Sequence, residues 1–159
     1  MISQTVEYSL RAMVMLANAG EEPLTVQNIA AVAKIPAPYL SKLMPGLLRA
    51  ELVHSRRGVG GGFTLGRAAK EITVWDIVQA VDPIKRILTC PLGITGHVRL
   101  CPLHRRLDQA MAMVEEAFRK SSLADVLADS SPTGGPLCRE KSSPVPLGLQ
   151  LKGSRKSSS

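Results

Sequence analysis

Cysteine and histidine side chains are concentrated in one short segment, TCPLGITGHVRLCPLH, which runs from Thr89 to His104. It holds Cys90, His97, Cys101 and His104, in a chain that has three cysteines and three histidines in all. Thiolate and imidazole groups bind zinc and iron-sulfur clusters, and a free thiolate also reacts with oxidants. The segment therefore predicts a metal centre or a thiol sensor, with simple packing of small apolar cysteines as the alternative.

Positive charge is concentrated in the first half of the chain. The 159 residues carry a net charge of +7, and residues 25–70 contain seven Lys or Arg against one acid, Glu51. Such a basic segment favours a polyanionic partner. A chain of this length has room for one domain with an added arm, and an aromatic content of 3% predicts an aliphatic, largely helical core.

The sequence shows no sign of export or membrane insertion. No stretch approaches the roughly 20 apolar residues of a membrane helix, and the start, MISQTVEYSL, lacks the regions of a signal peptide. We therefore expect a cytoplasmic protein with no membrane partner. An odd number of cysteines in a reducing compartment argues against a disulfide framework and favours free thiols or ligands.

The apolar spacing predicts a mainly α fold that contains a winged helix-turn-helix. Thr25, Thr73 and Ser122 are placed to cap helices. The second and third helices, joined by the turn KIPAP, form the helix-turn-helix pattern, and an ordinary helical hairpin is its alternative. Apolar residues mark helices at 4–18, 26–33, 39–50, 74–81, 102–118 and 123–127, and strands at 52–55 and 63–65.

The segment SRRGVGGGFTLG predicts a β-hairpin wing after the third helix. Arg56 and Arg57 can contact phosphates or enter a minor groove. The loop glycines Gly60, Gly61 and Gly62 leave the backbone free to approach a narrow surface. A nucleotide-binding loop is the rival, but the pattern Gly-x-x-x-x-Gly-Lys-Ser/Thr is absent and no helix follows directly.

The long helix at 102–118 carries an apolar stripe that needs a partner surface. The same helix of a second subunit would cover the stripe, and burial within one subunit is the alternative. The stripe consists of Leu107, Ala110, Met111, Val114, Ala117 and Phe118.

The predicted elements, and a change in composition after residue 130, divide the chain into four parts. Residues 1–82 are expected to form a winged helix-turn-helix DNA-binding domain, and residues 83–103 a cysteine-containing sensor loop. Residues 104–130 form a dimerisation helix and a terminal helix. Residues 131–159, rich in Ser, Pro, Gly and Lys and including Cys138, are expected to be a disordered basic tail.

Several segments together resemble the Rrf2 family of winged-helix transcriptional regulators, which includes the iron-sulfur cluster regulator and the nitric-oxide-sensing repressor. The resemblance covers residues 1 to about 130 and implies a homodimer on a partly palindromic operator in double-stranded DNA. In such a complex, the third helix of each subunit would lie in the major groove of the DNA and the wing in the minor groove. The segments are VEYSLRAM, IPAPYLSKLMPGLLRAELV, SRRGVGGGFTLGR, EITVWDIVQAVD and CPLHRRLDQAM.

The resemblance also implies residues that contact DNA. Pro38, Tyr39, Ser41 and Lys42 match the exposed start of the family's recognition helix, and Arg57 with Gly60 to Gly62 match its wing. Pro45 departs from the family pattern. Because proline lacks the amide hydrogen and clashes with the preceding turn, it predicts a third helix that is kinked or begins late, at a cost of about 3 kcal/mol.

A ligand set follows from the same resemblance. Cluster-binding members place three cysteines in the loop before the long helix and take a fourth ligand from the first helix of the partner subunit. Here Cys90 and Cys101 match two cysteines, and His97 stands between them as a substitute for the third. Glu7 matches the first-helix position, and His104 is a nearby substitute. A 2Fe-2S cluster is expected on this set, with zinc or no cofactor as alternatives.

We therefore expect a sequence-specific DNA-binding transcriptional regulator, a repressor, that senses redox, iron or nitric-oxide state. An enzyme is not expected, because no metal-site motif with a general acid or base, such as His-Glu-x-x-His, is present. The alternatives are a cluster-free regulator that responds through thiols or a ligand, and a nonspecific architectural DNA-binding protein.

Overall fold

The computed structural model describes residues 2–93, 99–129 and 137. These residues are mainly helical with a two-stranded antiparallel hairpin, which confirms the predicted fold class. No helix within them has both the length and the apolar character needed to cross a bilayer. The elements are α1 (Gln4–Ala19), α2 (Val26–Ala33), α3 (Ala37–Arg49), β1 (Val53–Arg56), β2 (Gly62–Leu65), a 3-10 turn (Ala69–Glu71), α4 (Val74–Val81), α5 (Pro102–Lys120) and α6 (Leu123–Ala128).

Five helices share one aliphatic core. α1 contacts α2, α3, α4 and α6, and its Met13 and Leu16 are completely buried. Leu40 and Leu47 of α3 are buried equally, and Ile29 of α2 lies in the same cluster. Burial of each side chain of this size stabilises the fold by about 1.5–3 kcal/mol. The helix-turn-helix is therefore held rigidly on α1.

Three helices begin where the predicted capping residues lie. The hydroxyl of Thr25 accepts a hydrogen bond from the backbone at the start of α2. Thr73 with Asp76, and Ser122 with Asp125, form reciprocal capping boxes at α4 and α6. Each cap stabilises its helix end by about 1 kcal/mol. These local hydrogen bonds explain why the sequence located the helix starts.

The start of α3 differs from the prediction. The helix begins at Ala37, with Pro36 at the N-cap and Pro38 in the first turn, so the expected late start is wrong. Pro38 is tolerated because first-turn amides have no helical acceptor to lose. The helix continues through Pro45, which has no N–H to donate to the carbonyl of Ser41. This missing hydrogen bond lies on the exposed side of α3.

The wing is a regular hairpin that is joined to the body of the domain. β1 and β2 pair antiparallel, with Arg56 opposite Gly62 at the loop end. Leu24 exchanges two backbone hydrogen bonds with Phe63, at 2.8 and 2.9 Å. A Cβ atom at Gly62 would lie 2.6 Å from the carbonyl oxygen of Leu24, so glycine permits this close approach.

α5 and α6 have different environments. No residue of α5 is buried, and Leu107 and Val114 of its stripe remain 47% and 41% exposed. The described part of the subunit therefore leaves four residues of the stripe exposed, whereas Met111 and Phe118 are half-buried. After α5 the chain returns to the core: the carbonyl of Ser121 accepts a hydrogen bond from the amide of Val74 (2.8 Å), and Leu123 is completely buried.

Candidate metal centre and nucleic-acid interface

Three side chains of the cysteine segment converge at the N-terminus of α5. The Sγ atoms of Cys90 and Cys101 and a ring nitrogen of His104 lie within 4.8 Å of one another. Nδ1 of His104 is 3.1 Å from Sγ of Cys101 and 3.6 Å from Sγ of Cys90. All three residues are half-buried. The site is thus reachable from solvent and partly shielded from it.

Helical spacing brings two of these groups together. Cys101 is the N-cap of α5 and His104 follows three residues later, so their side chains lie on the same face. Cys90 comes from the loop between α4 and α5. The distance from the thiol of Cys90 to the side chains of Cys101 and His104 depends on the path of that loop across α5.

The observed group is not the full predicted ligand set. Cys90 and Cys101 are both in it, and the imidazole that meets their thiols belongs to His104. His97 lies outside the described residues. The carboxylate of Glu7 is paired with the guanidinium of Arg11, at 2.6 Å, one turn along α1. The structure therefore brings together three donors from one chain.

The separations of His104 from the two thiols are close to those of ligands on one tetrahedral metal ion. Ligand atoms that are about 2.0–2.3 Å from such an ion lie about 3.3–3.8 Å from each other. The two separations from Nδ1 of His104 are 3.1 and 3.6 Å. Two thiolates and an imidazole suit zinc, iron and iron-sulfur clusters. The residues present therefore fit a metal with soft ligands and leave a fourth ligand to come from elsewhere.

An ion pair fastens the sensor loop, residues 83–103, to α5. The guanidinium of Arg86 donates to both carboxylate oxygens of Asp108 (2.7 and 2.6 Å), and the amide of Ile87 donates to Oδ1 (2.9 Å). The hydrogen bond from Arg86 is the main cause that lowers the pKa of Asp108 below its ordinary value of 3.8. Sequence reasoning missed this pair. The available signal was the position of Asp108 four residues after His104, on one helix face.

The exposed side of α3 carries three of the four DNA contacts that were predicted on this helix. Pro38, Ser41 and Lys42 are exposed, whereas the opposite side of the helix is buried. Tyr39 is only half-exposed, and its hydroxyl shares a 2.7 Å hydrogen bond with that of Thr5 in α1. Tyr39 therefore ties the start of the recognition helix to α1, which leaves less of it available to DNA.

The tip of the wing presents two arginines and one apolar side chain. Arg56, Arg57 and Val59 are exposed. Gly60 has φ +72°, and a Cβ atom there would meet nothing within 4 Å. Its role is to permit the turn, and its outer surface is free to approach a partner.

The other predicted wing glycines have an internal reason to be glycine. A Cβ atom at Gly61 would collide with the carbonyl oxygen of Arg56, and one at Gly62 would collide with Leu24. Both glycines are therefore required by the packing of the hairpin itself. Their presence in the sequence is explained without any contact to DNA.

Comparison with known proteins shows the family. A family model described as Rrf2, iron-dependent transcriptional regulator, matches residues 2–129. The chain belongs to the Rrf2 family. It is 30% identical over 129 residues to an HTH-type transcriptional regulator of Aquifex aeolicus, covering 79% of this chain and 90% of the relative. It is 31% identical over 137 residues to a Mycobacterium tuberculosis protein of the same description, covering 82% and 83%.

Solved structures of Rrf2 regulators share this fold. CymR, the global cysteine regulator of B. subtilis, superposes with a TM-score of 0.68 at 28% identity, covering 82% of this chain and 98% of CymR. IscR of T. potens superposes with a TM-score of 0.69 at 28% identity, covering 81% and 87%. Rrf2 proteins are DNA-binding transcriptional regulators rather than enzymes, and this chain is one of them.

Proposed function

We propose that this Rrf2 regulator is a homodimeric repressor whose affinity for its operator changes when Cys90, Cys101 and His104 bind an iron-containing centre. The observation that carries the proposal is the convergence of two thiols and an imidazole within 4.8 Å at the start of α5. The family description as iron-dependent and the similarity to IscR favour iron over other metals.

A 2Fe-2S cluster is the proposed form of this centre, and it would supply a site whose charge responds to electrons and to nitric oxide. Such a cluster takes four protein ligands, one more than the three donors of this group. The candidates for the fourth ligand are His97 of the same chain and Glu7 of the partner subunit. Recruiting Glu7 requires breaking its pair with Arg11, and both side chains are more than one-third exposed. Exposed pairs of this kind contribute only about 0.2–1 kcal/mol, so the exchange costs little.

The DNA surface is formed by α3 and the wing. Ser41, Lys42 and Arg49 project from the exposed side of α3, where their donors can meet base edges and phosphates of the major groove. Arg57 at the wing offers a planar cation to a narrow minor groove. A protein of this function works where the chromosome is, so we propose a cytoplasmic location.

The uncovered side of α5 is the proposed dimer interface. Its apolar residues recur at alternating four- and three-residue steps, which is the spacing of a two-helix seam. A Val114→Asp variant should therefore be monomeric by sedimentation velocity and lose operator affinity. A folded variant that stayed dimeric would reject this interface. The seam consists of Leu103, Leu107, Ala110, Val114 and Ala117.

Metal binding would change the position of the DNA-binding surface through α5. Ligation by both Cys90 and Cys101 ties the sensor loop to the start of the dimerisation helix. The other end of α5 contacts α4, where the guanidinium of Arg119 lies 5.1 Å from the ring centroid of Trp75. A change in how α5 sits on α4 alters the distance between the two recognition helices. The two half-sites of an operator lie about 34 Å apart. The distance between the two recognition helices must match this spacing, and it therefore sets operator affinity.

The test begins with anaerobic purification of the full chain. A visible absorption spectrum and assays of iron, sulfide and zinc are made on the wild type and on Cys101→Ala and His104→Ala variants. A duplex selected from a random pool then serves as the probe for anisotropy measurements. We expect iron and sulfide at about two per subunit, loss of both in each variant, and different duplex affinities with and without the centre.

Other outcomes reject defined parts of the proposal. A colourless, metal-free protein that binds the selected duplex would remove the metal and leave a thiol-based or ligand-based regulator. Equal affinity in every metal and redox state would remove sensing. If a random duplex competed for binding as strongly as the selected duplex, the protein would be an architectural DNA-binding protein.

Zinc is the second candidate, because two thiolates and an imidazole are common zinc ligands and their separations from His104 are close to those around a single tetrahedral ion. The expected result would then be one zinc per subunit in a colourless protein. Cobalt in its place would give thiolate-to-metal absorption bands that disappear in the His104→Ala variant. Zinc without iron or sulfide after anaerobic purification would reject the iron centre and keep a metal-responsive regulator.

A further inference from the structure

We propose that Asp108 is a positioning residue for the cysteine site. Through Arg86 and Ile87 it holds the sensor loop on α5, so that Cys90 reaches the other two ligands. The inference rests on the proposed metal-binding function of that site.

One carboxylate fixes two consecutive residues of the loop. Asp108 accepts two hydrogen bonds from the guanidinium of Arg86 and a third from the amide of Ile87, at 2.6–2.9 Å. The side chain of Asp108 is 16% exposed, so solvent competes weakly for these bonds. Bidentate pairs between guanidinium and carboxylate groups fix orientation as well as distance. The loop is therefore set in position and in direction at this point.

The helix register carries that position to the ligand site. His104 and Asp108 are one turn apart on the same face of α5, a distance of about 6 Å along the helix. Cys90 comes three positions after Ile87 in the loop, a stretch that can span about 10 Å when extended. With Ile87 fixed at Asp108, the loop runs back along this face and brings Cys90 to the level of His104. The 3.6 Å separation of these two side chains agrees with this arrangement.

The beginning of the loop is held by a different helix. Nε2 of Gln79 in α4 donates to the carbonyl oxygen of Ile84 (3.1 Å). Arg86 additionally lies 3.7 Å from a carboxylate oxygen of Glu115, about two turns beyond Asp108 along α5. The loop therefore passes from α4 to α5 before it reaches Cys90. Asp108 is the contact on α5 that lies between this crossing and the thiol.

Cobalt titration of the metal-free protein tests the inference. The wild type, Asp108→Ala and Glu116→Gln are compared in a Cys138→Ser background, and Co²⁺ is followed by its thiolate absorption bands. We expect Asp108→Ala to weaken Co²⁺ binding by about 10–100-fold, the loss typical when a residue that orients metal ligands is removed. Glu116→Gln is the matched control, because Glu116 is an exposed carboxylate on the same helix that pairs with Lys120.

Hydrogen exchange of the metal-free protein gives a second measurement that needs no metal. Amides of residues 84–92 should exchange faster in Asp108→Ala than in the wild type, with the exchange of α1 to α4 unchanged. If Asp108→Ala fails to fold, Arg86→Gln removes the same ion pair from the loop side and leaves α5 intact. The same two measurements are then made on that variant.

The outcomes separate this inference from the proposed function. Unchanged Co²⁺ affinity and unchanged exchange of residues 84–92 in folded variants would overturn the role of Asp108. Faster loop exchange in a protein whose wild type binds neither Co²⁺ nor iron would retain Asp108 as the anchor of the loop. That result would reject the metal site and with it the role of Asp108 in metal binding.

Discussion

Nδ1 of His104 lies 3.1 Å from Sγ of Cys101, three residues earlier at the N-cap of α5. This pair is local, because the geometry of the first helical turn sets it. Cys90, by contrast, reaches the pair from a loop that is 14 residues away from His104 in sequence. One helix thus provides two side chains of the candidate metal site, and the path of the sensor loop provides the third.

The two histidines of the cysteine segment should differ in metal binding. His104→Ala removes an imidazole that meets both thiols, so bound metal per subunit should fall to near zero. His97→Ala serves as the comparison and should lower bound metal less, because His97 is only one of the two candidates for the fourth ligand. Both are measured by metal analysis after anaerobic purification. Loss of metal in His97→Ala alone would exchange the roles of the two residues.

Pro45 should cost the protein stability. Replacing it with alanine restores an N–H that can bond the carbonyl of Ser41, so the free energy of unfolding should rise by up to about 3 kcal/mol. Pro38→Ala is the matched control, since that proline lies in the first turn and gives up no helical hydrogen bond. Urea denaturation of both variants measures the difference. An equal effect of the two substitutions would contradict the prediction.

The wing glycines should separate into two classes. Gly60→Ala should lower stability by only about 1–2 kcal/mol, because its cost is the positive φ alone. Gly62→Ala should lower it further, because the new Cβ atom collides with the backbone at Leu24. Thermal unfolding in the absence of DNA measures both. Equal losses would mean that the hairpin can shift away from Leu24.

Arg57 should contribute electrostatic affinity for DNA. Arg57→Ala should weaken duplex binding and make the slope of log affinity against log salt shallower by about one unit, as expected for one lost phosphate contact. Arg105→Ala removes an exposed positive charge from α5 instead and should leave the slope nearly unchanged. Anisotropy at several salt concentrations provides the measurement. Equal slopes for Arg57→Ala and the wild type would place the wing outside the DNA contact.

Low pH should destabilise α6, because it protonates the carboxylate of Asp125. A hydrogen bond from the Ser122 hydroxyl is the main cause that lowers the pKa of Asp125 below its ordinary 3.8 in the folded state. Because the folded pKa is the lower one, this carboxylate stabilises the fold above pH 3.8, and that contribution is lost as pH falls through the folded pKa.

Asp125→Asn should therefore flatten the fall of the melting temperature between about pH 5 and pH 2.5. Asp129→Asn makes the same change in net charge at the end of α6 and serves as the control. If both variants follow the wild-type curve, the capping box does not contribute to acid sensitivity.

The sequence by itself determined the elements and their order. Capping residues, proline positions and apolar periods act within a few residues of the chain, so they located α2 and α4 at their observed bounds. The same local rules indicated the wing and the apolar stripe of α5, most of which is exposed in the described part of the subunit. The sequence also indicated Cys90 and Cys101 as candidate ligands, and the structure places their thiols close together.

Only the tertiary structure decided how distant residues meet. It placed the thiol of Cys90 beside the imidazole of His104, and the hydroxyl of Tyr39 beside that of Thr5. It also revealed Asp108 as the anchor of the loop. These contacts join side chains that are far apart in sequence, so the period of a helix or strand does not predict them. Their geometry depends on how the sensor loop and α3 pack against other elements, which no local rule specifies.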